Sequence, residues 1–327
     1  MKIDWAPLRE IVETRNRFVL TTHVRPDADA IGSEIAMAGL LEQLGKEVRI
    51  VNASVVPPRL AFLDPQKKCL QLGTQVSEEE ACDTDVHMIL DTSAWGQLDK
   101  VGRVFKKTSA LKVVVDHHAT AEDLGAINLK DTDAEASGAL VFQFAMAMGL
   151  AVTSAIGDAL FCAIATDTGW FRFPSTTSET YRTAARLIDF GVQPAVLYTK
   201  LYEQCTLARV KLAGRVLSRM MLDFGGRLAW TNVTLVDYRE TGAEPPDTED
   251  LVNECLVVCD VEAAFILIEQ HNGNVKASLR SRSHLDISRV AEQFGGGGHK
   301  QAAGAILPGP LADAQAKILA AMKIVFS

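Results

Sequence analysis

The sequence predicts an α/β protein: an N-terminal parallel sheet with helices on both faces, then a smaller C-terminal α/β domain. Three observations carry this. Apolar, β-prone runs alternate with segments of helical periodicity through the first half of the chain. The runs are nearly continuous in apolar residues, as parallel strands covered on both faces must be. Three of them end directly in polar and ionisable residues, at Thr21-Thr22-His23, Asp91-Thr92-Ser93 and Asp116-His117-His118. In open α/β sheets ligands bind at the C-terminal ends of strands, so three such ends on one edge mark a site.

The elements follow in order. Arg17 to Leu20 reads as the first strand, and Ala30 to Gly45 has helical spacing. The intervening loop carries His23, Asp27 and Asp29, with Pro26 stiffening it. Glu47–Val51, Val86–Leu90 and Leu111–Val115 are further strands, and Pro57-Pro58 breaks the pattern between the first two of these. Two helices are expected over 134–149 and 154–165. The second is apolar nearly all round, hence buried, and closes on Asp167-Thr168-Gly169-Trp170-Phe171-Arg172-Phe173. Helices over 176–191 and 194–203 complete the first domain. Thr206 to Met221 reads as a connecting helix. Beyond it come a strand at 227–233, a helix at 248–257, a hairpin of 261–270 with 275–280 around Asn272-Gly273-Asn274, a helix at 286–294, a strand at 302–307 and a final helix from Pro310 to Val325.

With 327 residues the chain has room for two domains. Its 48% hydrophobic and 23% charged residues are ordinary for a soluble globular protein. No apolar run approaches the roughly 18 residues of a membrane span, and Met1 to Trp5 lacks a secretory core. The six cysteines are scattered, as expected of reduced thiols in a cytoplasm. Cys255 and Cys259 could share a helix face, but no matching Cys or His pair is near, which disfavours zinc. The net charge of −8 argues against a protein that coats long nucleic acid. It allows a small phosphate-bearing ligand held by a few local cations.

The candidate ligands are His23, Asp27, Asp29, Asp91, His117 and Asp167. Asp27 and Asp29 taken alone would serve as helix caps. Four carboxylates and two imidazoles are too many for one ion and suit two ions sharing a bridging carboxylate. Two divalent ions about 3.5–4 Å apart clamp an in-line phosphoryl displacement. Mixed oxygen and nitrogen ligation suits Mn²⁺ or Mg²⁺.

These motifs, in this order, resemble the DHH phosphoesterase family, named for the triplet seen here as Asp116-His117-His118. The resemblance extends to the C-terminal DHHA1 domain through Ser278-Leu279-Arg280-Ser281, the run Gly295 to His299, and Ala302-Ala303-Gly304. It implies a DHH catalytic domain over 1–192, a helical linker over 193–222 and a DHHA1 substrate-binding domain over 223–327, with the catalytic cleft between the domains. It implies that His23 and Asp27 hold one metal, that Asp29, His117 and Asp167 hold the other, and that Asp91 bridges them. Asp116 is expected to orient the ring of His117, and His118 to face the scissile phosphate. Either of these last two could instead be an ordinary strand-end cap or a buried, hydrogen-bonded histidine.

Gly296, Gly297 and Gly298 let backbone N–H groups approach a phosphate closely, beside His299 and Lys300. A flexible turn is the bland alternative. Arg280 could fork onto a terminal phosphate, with Ser281 next to it; Arg282 and Lys276 are weaker candidates. Trp170, Phe171 and Phe173 could stack a base or fill the core.

The architecture most resembles nanoRNases, which degrade very short oligoribonucleotides to nucleoside 5′-monophosphates. Many relatives also remove the 3′-phosphate of adenosine 3′,5′-bisphosphate. The partners expected are therefore short RNA or small nucleotides, not long nucleic acid or membrane, and a homodimer is compatible. The alternatives are a phosphodiesterase of a linear or cyclic dinucleotide messenger and a non-catalytic nucleotide sensor. A sensor should have lost a metal ligand, whereas all six positions here hold competent residues.

Overall fold

The apolar runs of the first half become strands of one sheet. In the computed structural model, which describes residues 3–120, 122–282 and 284–326 and only the backbone of His299, the chain divides into units Met1–Gln204 and Cys205–Ser327. The first unit comprises α1 (Ala6–Thr14), β1 (Arg17–Thr21), α2 (Ala28–Gln43), β2 (Glu47–Asn52), β3 (Cys69–Gln71), α3 (Glu78–Cys82), β4 (Val86–Leu90), α4 (Asp99–Lys107), β5 (Leu111–Asp116), β6 (Ile127–Lys130), α5 (Ser137–Ala147), α6 (Ser154–Asp167), α7 (Ser178–Asp189) and α8 (Pro194–Tyr202).

The strands lie in the order β3-β2-β1-β4-β5-β6, and every neighbouring pair is parallel. Strand order reverses between β1 and β4, so their C-terminal ends flank a topological switch point. Alternation along β1 feeds two cores. Phe18 and Leu20 join Leu40, Phe144 and Leu160, from α2, α5 and α6, while Val19 joins Val101 and Val104 of α4. Gly32 lets α2 approach α6: a Cβ there would stand 2.4 Å from the Ala159 carbonyl oxygen. Gly138 does the same for α5, where a Cβ would meet Ala163 at 2.5 Å. These contacts bring the N-terminal turns of α2 and α5 together beside the strand ends.

The structure adds α1, β3, α3, α4 and β6 to the elements expected. The segment 193–222 does not form a separate linker. Leu197 of α8 is buried in the first unit's core. The helix expected over 206–221 ends at Leu217, as α9 (Leu207–Leu217), and its Leu212 and Val216 are buried with Ala229 and Ile266 in the second unit. The apolar faces of the two helices serve different cores, which is why the stretch divides between the units.

The second unit continues with β7 (Met221–Asp223), β8 (Leu228–Val233), α10 (Leu235–Thr241), α11 (Leu251–Cys255), β9 (Ala263–Glu269), β10 (Asn274–Ser281), α12 (Ser288–Glu292), β11 (Gly297–His299), β12 (Ala302–Pro308) and α13 (Leu311–Phe326). Its sheet order is β11-β12-β10-β9-β8-β7, antiparallel except for the β8–β9 pair. The expected hairpin is β9–β10, turned at Gly273 with φ 81°. Residues of α12 and α13 pack with one set of sheet residues and those of α9 and α11 with another.

Candidate metal centre

Backbone groups and neighbouring side chains fix the functional side chains at the ends of β1, β4 and β5. The His23 Nδ1 lies 3.0 Å from the carbonyl oxygen of Val24, and the His117 Nδ1 lies 3.1 Å from that of Ala134. A carbonyl only accepts, so each Nδ1 carries the proton and, in the neutral ring, each Nε2 presents a lone pair. Those Nε2 atoms face carboxylates. His23 Nε2 is 3.4 Å from Asp91 Oδ2 and 3.9 Å from Asp27 Oδ1. His117 Nε2 is 3.4 Å from Asp167 Oδ2, 3.5 Å from Asp91 Oδ1 and 3.7 Å from Asp29 Oδ2.

The four carboxylates come from three elements, α2, the end of β4 and α6. Asp27 caps α2, accepting from the Ala30 N–H at 3.0 Å. Asp29, 1% exposed, accepts from the backbone N–H groups of Ser137 (2.7 Å) and Gly138 (2.8 Å) at the start of α5. Asp91, 2% exposed and held at φ 63°, accepts from the Ser137 hydroxyl at 2.9 Å. Asp167 is the last residue of α6. The capping role is therefore real for Asp27 on its own helix, while Asp29 receives the N-terminus of a different one.

Ligand atoms gather within 4.8 Å of one another in three sets: His23, Asp27 and Asp91; Asp29, His117 and Asp167; and Asp91, His117 and His118. Electrostatics bears on what the cluster can hold. Burial, then the charges of Asp29 and Asp27, push the Asp91 carboxyl well above its ordinary range. Burial, then Asp29, push Asp167 up to about 7. Lone pairs facing lone pairs and carboxylates that resist ionising are the condition a divalent cation relieves, so the donor set fits oxygen- and nitrogen-liganded metal ions.

Asp116 departs from expectation. It orients His118, not His117: its Oδ1 accepts from the His118 N–H at 3.1 Å and lies 2.8 Å from His118 Nδ1. The carboxylate of a strand-end residue reaches the backbone N–H two residues on, whereas His117 turns its Nδ1 to Ala134. Burial alone would raise the Asp116 carboxyl, but hydrogen bonds from His118, Lys130 and Ser93 outweigh it and hold the group well below the usual carboxylate range. The bond to Asp116 raises His118 above its ordinary value. Ser93, Lys130 and Ser137 escaped sequence reasoning, although Ser93 stands two residues after Asp91 and Ser137 opens a helix.

In the second unit, Arg280 is half-buried on β10 and faces Ala302 of β12 in register. Ser281 is buried, and its N–H donates to the Gln301 carbonyl at 3.0 Å. The glycine run is not simply a turn. Gly297–His299 forms β11, and Cβ atoms at Gly296 and Gly298 would fall 2.2 and 2.3 Å from carbonyl oxygens of β12. Gly297 faces open space. The side chain of His299 lies outside those described. Trp170 packs edge-on against Phe161, Tyr198 and Tyr202, and Phe171 stacks on Tyr181; Phe173 is 49% exposed.

A doubly wound sheet with histidines and carboxylates converging at its switch point is the framework of a metal-dependent phosphoesterase. The chain belongs to the DHH family: residues 17–164 match the DHH family N-terminal domain, and residues 231–327 match the DHHA1 domain. Similar along almost its whole length is the bifunctional oligoribonuclease and PAP phosphatase NrnA of Thermus thermophilus, 31% identical over 98% of this chain and 94% of that protein. An exopolyphosphatase-related protein from Bacteroides fragilis has a closely similar structure, with TM-score 0.90 and 26% identity over 98% of this chain and 97% of that one. RecJ of Thermus thermophilus, solved with Mn²⁺, shares the fold at TM-score 0.55 and 14% identity, over 99% of this chain and 55% of its own. Among the described residues no helix is long and apolar enough to cross a membrane.

Proposed function

We propose that this chain hydrolyses very short oligoribonucleotides to nucleoside 5′-monophosphates and removes the 3′-phosphate of adenosine 3′,5′-bisphosphate. The observation that supports this reading most is the convergence of His23, Asp27, Asp29, Asp91, His117 and Asp167 with both imidazole lone pairs turned inward.

Two divalent ions, Mn²⁺ before Mg²⁺, are assigned to the cluster: His23 and Asp27 hold one, Asp29, His117 and Asp167 the other, and Asp91 both. Such ions supply Lewis-acid charge to the phosphoryl oxygens and lower the pKa of water. His118, its Nδ1 fixed by Asp116, directs Nε2 to the substrate phosphate and stabilises charge developing there. Arg280, Ser281, the backbone at Gly296, Gly297 and Gly298, and His299 are assigned to binding a phosphate or terminal group of substrate in the second unit. The enzyme is assigned to the cytoplasm, with short RNA and small nucleotides as its partners.

End-labelled RNAs from dinucleotide to decamer, assayed beside the bisphosphate and a cyclic dinucleotide, test the reading. The fastest turnover is expected on the shortest RNAs, and Arg280→Ala should raise KM most for dinucleotides. A long RNA degraded as fast as a dimer would defeat the length preference. Exclusive cleavage of the cyclic dinucleotide would replace this substrate class with a messenger.

A further inference from the structure

We propose that Lys130 is a positioning residue for His118, acting through Asp116 with Ser93 as the third member of the clamp. The proposal rests on the hydrolytic reading above only for its kinetic consequence.

Strand register places the clamp. β5 and β6 run parallel with Asp116 beside Lys130, so the last residues of two neighbouring strands emerge at the edge that carries the metal cluster. Asp116 is fully buried. Its Oδ2 accepts from Ser93 Oγ at 2.6 Å and from Lys130 Nζ at 2.8 Å. Its Oδ1 is devoted to His118, through the N–H at 3.1 Å and Nδ1 at 2.8 Å. Lys130 Nζ also donates to Ser93 Oγ at 2.6 Å and to the Thr120 carbonyl at 2.8 Å, so its three N–H groups each have an acceptor.

A buried carboxylate needs its charge answered and its lone pairs filled by donors. Lys130 supplies the countercharge, and Ser93 stops the carboxylate rotating. Asp116 then offers Oδ1 as a fixed acceptor for the His118 Nδ1–H, and Nε2 is the ring nitrogen left to donate to substrate. The His118 side chain is 48% exposed, and among the described residues its hydrogen-bonding side-chain partner is Asp116; the His117 ring packs edge-on at 4.6 Å and Asp91 Oδ1 stands off at 3.8 Å. A ring whose side-chain hydrogen bond is to one carboxylate has its rotation about that bond set by whatever holds the carboxylate. The bland alternative is that Lys130 merely seals the end of an edge strand.

The test is Lys130→Met in the full chain, with Ser93→Ala as a milder variant that keeps the ion pair and the fold. Lys130→Met is expected to lower kcat about tenfold to a hundredfold, with KM and Mn²⁺ affinity unchanged. Ser93→Ala should give the same kind of change at smaller size, and Lys130→Arg should recover most of the rate. Asp116→Asn and the double variant Asp116→Asn/Lys130→Met should share one kcat, because the lysine acts only through the carboxylate. Nitrogen-15 spectra of His118 without substrate should show an Nδ1–H hydrogen-bonded to a carboxylate in the wild type, and that signature weakened or averaged in Lys130→Met. Losses that multiply in the double variant, or wild-type kcat and unchanged His118 spectra in both Lys130→Met and Ser93→Ala, would overturn the clamp. The spectra need no turnover, so a His118 ring released by Lys130→Met in a protein that hydrolyses no phosphoester would retire the reaction and keep the clamp.

Discussion

The Ser137 hydroxyl donates to Oδ1 of Asp91 at 2.9 Å while the same residue's backbone N–H donates to Oδ2 of Asp29 at 2.7 Å. One residue at the start of α5 thus holds two buried carboxylates that reach the cluster from β4 and from α2. Ser137→Ala keeps the backbone bond to Asp29 and frees Asp91 to rotate. Mn²⁺ affinity measured by calorimetry should fall roughly 10- to 100-fold with no change in the circular dichroism spectrum. An unaltered dissociation constant would show that Asp91 needs no such support.

Asp91→Asn separates stability from function. Asp91 is buried among Asp29, Asp27 and Asp167, and the metal-free protein bears that repulsion. Removing one charge should raise the Tm of metal-free protein, at about 2–4 °C for each kcal/mol of relief, while abolishing turnover with saturating Mn²⁺. Residual turnover of any size at saturating metal would remove Asp91 from its bridging assignment.

His118→Ala tests the division of labour within the histidine pair. His117 turns Nε2 to three carboxylates, whereas His118 is tied to Asp116. The alanine variant should lose about 10²–10⁴ in kcat and keep its Mn²⁺ stoichiometry. If titration shows one ion lost instead, the two histidines have exchanged roles.

A stability measurement across pH addresses Glu34, away from the cluster on α2. It is completely buried, accepts one bond from Asn52 Nδ2 at 2.8 Å, and its other oxygen has no hydrogen-bond partner among the described residues. Burial raises its carboxyl from the ordinary 4.5 to about 8. The folded state therefore binds a proton more tightly than the unfolded chain does. This group's contribution is complete below pH 4.5, declines as pH rises from 4.5 to about 8, and is gone above that. Glu34→Gln should flatten the denaturant midpoint over this window and raise stability most at its alkaline end. Parallel pH profiles for wild type and variant would assign the loss elsewhere.

How much of this was legible in the sequence depends on range. β1, β4 and β5 announce themselves because a strand buried on both faces must be apolar along its length, and their polar ends follow from that. α4 also left a signal, with Val101, Val104 and Phe105 at helical spacing, but it spans only nine residues between two strands. β6 is four residues at a sheet edge, with two exposed, and gives almost no pattern. The partners of Asp116 lie 14 and 23 residues away along the chain, and Ser137 lies 108 residues from Asp29. Only tertiary packing pairs them. The glycine run was legible as a need for small residues, but its first cause is the close approach of β12 at Gly296 and Gly298.

The main-chain bonds to His23, Asp29 and His117 carry a consequence for how the molecule meets a changing supply of ions. In domains that fold around their metal, loss of the ion is loss of the structure. Here each of those donors is held by the protein itself, through carbonyls of Val24 and Ala134 and amides of Ser137 and Gly138. The centre is therefore moulded by bonds within the chain rather than by the ion alone, and circular dichroism of chelator-treated protein is expected to match that of the metal-loaded form.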